Sequence, residues 1–107
     1  MRGTKRMKSS FDVIVVGAGA AGMSAAIYLK RANLNVVMID SGAPGGQITR
    51  IARVENYPGE DKIAGPDLAM KMFQQTQNFG IEYRFGNVLK VERKEAMFTV
   101  ITDTEEL

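Results

Sequence analysis

An α/β fold, a parallel sheet carrying one added antiparallel hairpin, is predicted by three features of this 107-residue chain. Two short β-branched runs, FDVIVV at 11–16 and NVVMID at 35–40, flank an alanine- and leucine-rich stretch of helical character. A glycine-rich turn joins the first run to that stretch. The last quarter of the chain reads as strands separated by short turns.

The first run is apolar throughout, as expected of a strand covered on both faces. The helix is expected over 20–34, AAGMSAAIYLKRANL, with Ile27 and Leu34 seven residues apart and Lys30 and Arg31 near its end, where cations favour the helix dipole. Strand, helix and strand within about 30 residues form a βαβ unit with a right-handed crossover. A second helix begins at Gly65-Pro66-Asp67, with proline expected at the first helical position. Leu68, Met72, Phe73, Thr76 and Phe79 give it one apolar stripe, Met70 and Met72 read as gap-filling core residues, and Gly80 stops it. The runs 81–85, 88–93 and 96–102 are β-like. The last two alternate as half-exposed antiparallel strands about a tip at Lys94-Glu95, and Asp103-Thr104 opens a further turn with no strand after it.

Composition narrows the function classes. With 45% hydrophobic and 24% charged residues the chain is of globular type. Four cations in the first ten residues, Arg2, Lys5, Arg6 and Lys8, exceed the net charge of +2, so residues 11–107 carry −2. Residues 1–10 are therefore expected to be a basic disordered tail, and the body has no nucleic-acid footprint. No window reaches the roughly 18 apolar residues of a membrane span, so no membrane partner and a cytoplasmic location are expected. With neither cysteine nor histidine, disulfide exchange and imidazole catalysis are outside the chain's own chemistry, and no catalytic or metal-ligating residue is assigned.

The turn between the first strand and first helix is Gly17-Ala18-Gly19-Ala20-Ala21-Gly22, a G-x-G-x-x-G. Its first glycine permits the tight turn, its second lets backbone approach a pyrophosphate, and its third lets the helix pack closely on the sheet. Asp40 closes the second strand 18 residues after Gly22, where an acid can bind ribose hydroxyls and disfavour a 2′-phosphate. This context makes the unit a Rossmann-like dinucleotide site. FAD and NAD satisfy it equally.

The stretch GGQITRIARVENYPG at 45–59 is too long for a turn and too irregular for a regular element. Gly45-Gly46 after Pro44 leaves room beside a flat ring system, and Gln47 and Asn56 offer amide groups to a heterocycle edge. Together with GAGAAG, AAIYLKRANL, VENYPG and GPDLAMKMFQQTQNFG, the stretch resembles the amino-terminal part of thioredoxin reductase of the low-molecular-weight flavoprotein type. The resemblance covers 11–103, nearly the whole chain. The flavoprotein subunit of alkyl hydroperoxide reductase and ferredoxin-NADP reductases of the related type share the GGQ loop, but the contiguous VENYPG favours thioredoxin reductase.

The resemblance implies an FAD site. Residues 17–22 would hold the pyrophosphate and Asp40 the adenosine ribose. Ser41, Gly42, Ala43, Pro44, Gly45, Gly46 and Gln47 would line the route to the flavin, Asn56 would bond its side, and the backbone of Val88 would meet the adenine. Ala20 departs from the family's usual proline, and Asp40 from the glutamate of many members. In the family NADPH reduces FAD, and electrons pass to a Cys-x-x-Cys pair and on to thioredoxin, within a homodimer. The cysteine pair and NADPH domain have no counterpart here, so residues 11–107 are expected to be a partial FAD-binding domain, inactive alone. A stand-alone nucleotide-binding module without turnover and a redox partner completed by another chain are the alternatives.

Overall fold

The computed structural model describes residues 10–42 and 44–107. All of the tail expected at 1–10 except Ser10 lies outside the described residues, as does Ala43. In chain order the elements are β1 (Val13–Val16), α1 (Ala20–Arg31), β2 (Val36–Asp40), a 3₁₀ turn (Gly46–Arg50), α2 (Gly65–Asn78), β3 (Glu82–Phe85), β4 (Val88–Lys94) and β5 (Met97–Thr102). β1, β2 and β3 form a parallel sheet with β2 in the middle, and β4 and β5 pair antiparallel. The expected α/β class, parallel sheet and hairpin are all present.

The strand covered on both faces is β2, not β1 as the apolar run at 11–16 suggested. Val36, Val37, Met38 and Ile39 are all fully buried, whereas β1 is half-buried and its Val16 is 57% exposed. The reason is position in the sheet: among the described residues β1 pairs along one edge only. On one face of β2, Val36 and Met38 pack with Met23 and Ala26 of α1 and Leu68 and Met72 of α2. On the other face Ile39 packs with Val100, Leu107, Ile14 and Val88. Each such side chain contributes about 1.5–3 kcal/mol by leaving water, so β2 is the best-anchored strand.

Both helices end in the same way. After α1, Asn33 adopts a positive φ of 70°, its N–H bonds to the Lys30 carbonyl, and the Leu34 N–H reaches the Leu29 carbonyl. After α2, Gly80 has φ 77°, its N–H bonds to the Gln77 carbonyl, and the Ile81 N–H reaches Thr76. These are Schellman closures, which satisfy the last carbonyls and turn the chain into the next strand. Asn33, tolerant of the left-handed region, therefore ends α1 three residues before the expected Leu34.

Several expectations shift. Gly65 opens α2 and Pro66 comes second, because the Gly65 N–H is held by the Ile51 carbonyl at 2.8 Å, a bond proline could not make. Leu68, Met72 and Thr76 are buried and Phe73 half-buried, but Phe79 falls on the helix end and is partly exposed. Met70 faces solvent at 67% exposure, since it lies two residues, about 200° of helix, from Met72. The hairpin tip is Glu95-Ala96, one residue later than expected, with Lys94 paired to Met97 and Glu95 at φ 57°. β4 is exposed over nearly its whole length rather than alternating, because its outer half has no layer against it. The turn at 103–104 does form, and it returns the chain against β5: Leu107 and Val100 exchange both backbone hydrogen bonds. Within 45–59, residues 46–50 are a regular 3₁₀ turn rather than irregular loop.

Gly65 is the point where that turn touches α2. A Cβ there would overlap the carbonyl oxygens of Ile48 and Ile51. Gly65→Ala should therefore lower stability by about 1–3 kcal/mol, the usual cost of overpacking, measured by urea denaturation followed by far-UV circular dichroism.

Candidate functional site

The carboxyl ends of β1 and β2 are where an open parallel sheet takes its ligands. Gly17 follows β1, with its N–H bonded to the Ile39 carbonyl at 2.7 Å. Ala18 is fully buried. Its N–H donates to Asp40 Oδ2 at 2.7 Å, and its carbonyl accepts the Gly45 N–H at 2.7 Å. One residue thus ties the glycine turn to the end of β2 and to the stretch that follows it. Asp40 Oδ1 also accepts the Gly42 N–H at 3.0 Å. The carboxylate expected to face a ribose is half-buried and doubly bonded to backbone, which fixes its position.

Three hollows that share residues run along this edge. The first lies at the start of α1 and is lined by Gly17, Gly19, Ala20, Ala21 and Gly22 together with Gly45, Gln47 and Ile48. A second is bounded by Asp40, Ser41, Gly42, Gly46 and Gln47, with Thr49 and Arg50. The third lies between Gly17, Asp40 and Ser41 on one side and Gly86, Asn87 and Val88 on the other. The sequence-predicted residues of the glycine turn, the end of β2 and Val88 are therefore brought together. Pro44 is half-buried and lines none of the three. Asn56 sits apart, on an exposed loop of residues 55–62 whose ends are closed by the Val54–Ile63 pair.

The glycines of the site divide by what surrounds them. A Cβ on Gly22 would overlap the Gly17 carbonyl, so that glycine serves the packing of α1 on the turn. Gly45 has φ 110° and no room for a Cβ against Ala69 of α2. Gly19 is different: its φ of −77° suits any residue, and a Cβ there would meet no protein atom within 4 Å. Its open side belongs to the first hollow.

The first turn of α1 has no side-chain cap and no acid, and Gly19, Ala20, Ala21 and Gly22 line that hollow, so the positive end of the helix dipole lies beside it. Among the described residues no group of three or more acidic, histidine or cysteine side chains is placed to hold a metal, and no helix is long and apolar enough to cross a membrane.

Tyr83, Gly86, Asn87, Thr49 and Arg50 belong to the neighbourhood of the site without having been singled out in the sequence. Tyr83 carries the most structural consequence. Its ring meets Phe73 of α2 edge-on, with centroids 5.4 Å apart, and its hydroxyl donates to the Gly42 carbonyl at 2.8 Å. No local motif marks it; its place two residues after Ile81 in the β-like run at 81–85 is the only signal.

The fold and the arrangement along this edge define a Rossmann-like βαβ protein. The chain belongs to the pyridine nucleotide-disulphide oxidoreductase family, whose model it matches over residues 11–107. It is 52% identical over 81 residues to thioredoxin reductase of Bacillus subtilis, a match covering 76% of this chain and 26% of that protein. The corresponding Listeria monocytogenes enzyme is 53% identical over 81 residues, covering 76% and 25%. The crystal structure of Lactococcus lactis thioredoxin reductase superposes with a TM-score of 0.88 at 38% identity, covering 92% of this chain and 32% of that one. Thioredoxin reductase of Streptococcus pyogenes gives 0.86 at 44% identity, covering 90% and 31%. The chain thus spans about a quarter of the length of the curated relatives it matches, and its resemblance to the amino-terminal part of thioredoxin reductase holds in sequence and in structure.

Burial, and secondarily the negative charge of Asp40, raise the Tyr83 hydroxyl pKa above its ordinary value of 10.0. A raised folded-state value means that the folded form holds the proton more tightly. The associated stability is complete below pH 10 and is lost as pH rises through the folded value. Tyr83→Phe should therefore be less stable than the unaltered chain at pH 8, by about 1 kcal/mol for the lost hydrogen bond. The gap should narrow above pH 10, as seen in urea midpoints measured across that range.

Proposed function

We propose that residues 11–107 are an FAD-binding portion of a thioredoxin-disulfide reductase. The observation that carries this is Gly19: a glycine that neither its backbone conformation nor its protein neighbours require, set at a hollow lined by the first turn of α1. A glycine in such a place is explained by a ligand that comes against the backbone, as a pyrophosphate does. Similarity to thioredoxin reductases over most of the chain supports FAD as that ligand.

On this assignment the first turn of α1, from Gly19 to Gly22, holds the diphosphate through backbone N–H groups. Asp40, fixed by Ala18 and Gly42, presents its remaining acceptor capacity to the adenosine ribose. Val88 and the Gly86-Asn87 backbone close the adenine side, held to the sheet by the Gly86 N–H bond to the Asp40 carbonyl at 2.9 Å. Gly45, Gly46 and Gln47 line the path toward the flavin, with Ser41, Gly42, Ala43 and Pro44 preceding them, and Asn56 would contribute from the 55–62 loop. FAD bound there would supply two-electron transfer, while the protein supplies position and electrostatics.

In the parent reductase, electrons would run from NADPH through FAD to a Cys-x-x-Cys pair and then to thioredoxin, in a cytoplasmic homodimer. The chain has no cysteine, so residues 11–107, preceded by the basic tail at 1–10, would bind the cofactor without reducing a disulfide.

The test is titration of the purified chain with FAD, followed by the flavin difference spectrum, beside Gly19→Ala. The unaltered chain should bind FAD. Gly19→Ala should keep its unfolding free energy within about 0.5 kcal/mol of the unaltered chain yet bind FAD at least about 10-fold more weakly, the effect of a methyl group intruding on the ligand. Equal affinity of the two for FAD would remove the site assignment.

A further inference from the structure

We propose that Arg50 supplies the cation that holds the diphosphate of the bound dinucleotide; the proposal rests on the FAD assignment above. The inner backbone donors of the site are already taken. The Gly17 N–H goes to Ile39, the Ala18 N–H to Asp40 and the Gly45 N–H to Ala18, each at 2.7 Å. What remains for a diphosphate is chiefly the start of α1, which has no charged side chain of its own. Asp40 brings a negative charge to the same edge, and a diphosphate brings about two more. Across the linings of the three hollows, Arg50 is the only cationic side chain among the described residues, and Asp40 the only acid.

The base of Arg50 is held while its charge is left available. It closes the 3₁₀ turn, where Thr49 Oγ1 donates to the Gly46 carbonyl at 2.7 Å and the Gly65 N–H grips the Ile51 carbonyl just beyond. Two other arginines are engaged, Arg53 with Glu55 and Arg84 with Glu82 and Glu105. No salt bridge of Arg50 is found among the described residues, and Asp40 in its own hollow already accepts two backbone N–H groups. A guanidinium can meet a phosphate with two parallel N–H···O bonds, which lysine cannot.

Equilibrium binding of FAD, ADP and adenosine by the 107-residue chain, by Arg50→Gln and by Arg50→Lys, at low and high salt, tests this. Arg50→Gln should weaken both FAD and ADP by about 5-fold at low salt, flatten the salt dependence of their binding, and leave adenosine unchanged. Arg50→Lys should keep the salt dependence with intermediate affinity. FAD and ADP affinities unmoved by Arg50→Gln would overturn the proposal, as would an equal loss for adenosine. If the unaltered chain bound ADP in an Arg50-dependent way but refused FAD, the role of Arg50 would stand and the FAD assignment would fall. Refusal of both ligands would overturn the two together.

Discussion

The backbone of Ala18 is the constraint on which the site depends. Its N–H is given to Asp40 and its carbonyl takes the N–H of Gly45, so the ends of two strands and the start of the following loop meet at one fully buried residue. Low dielectric strengthens such bonds and raises the cost of leaving either group unpaired, commonly about 1–3 kcal/mol for each orphaned partner. The spacing between the glycine turn and the loop at 45–50 is thereby fixed. Because Gly45 also presses on Ala69 of α2 without room for a side chain, the second helix is positioned by the same joint. The hollows along the sheet edge are the space left once these pieces are locked together.

Tyr83 extends the joint to the third strand. Its ring rests against Phe73 and its hydroxyl meets the loop after Asp40, so α2, β3 and the end of β2 are braced through one side chain. Both parallel connections also arrive by the same Schellman closure, after Asn33 and after Gly80. The strands that feed the site are thus entered with matched geometry, and their registers, Val13 on Val36 and Val37 on Glu82, follow.

Much of this was legible in the residues. GAGAAG and Asp40 announced a turn and an acid with definite tasks, and the proposed βαβ unit formed as expected, because local spacing determines where glycine and a strand-ending acid must fall. What sequence patterning could not deliver was sheet order. That β2 rather than β1 is covered on both faces depends on which strand lies between two others, a long-range fact. Gly65 read as a helix start, but its steric need arises from Ile48 and Ile51, 14 to 17 residues earlier in the chain. Tyr83 was passed over for the same reason: its hydroxyl meets Gly42, 41 residues earlier in the chain. The local misses, at Asn33 and at Glu95, both involve non-glycine residues that adopt positive φ.

The hairpin has a consequence of another kind. Its inner end is held by Val88 and Val100 against Ile39, whereas Leu89, Val91, Met97 and Phe98 are exposed and the ladder slips between Val88 and Lys90. Little apolar burial opposes separation of the outer rungs, so their amides can exchange hydrogen through local opening that never reaches the parallel sheet. Two tiers of protection are therefore expected: a slow-exchanging tier around β2, and a fast tier beyond the bulge that reports on the hairpin alone.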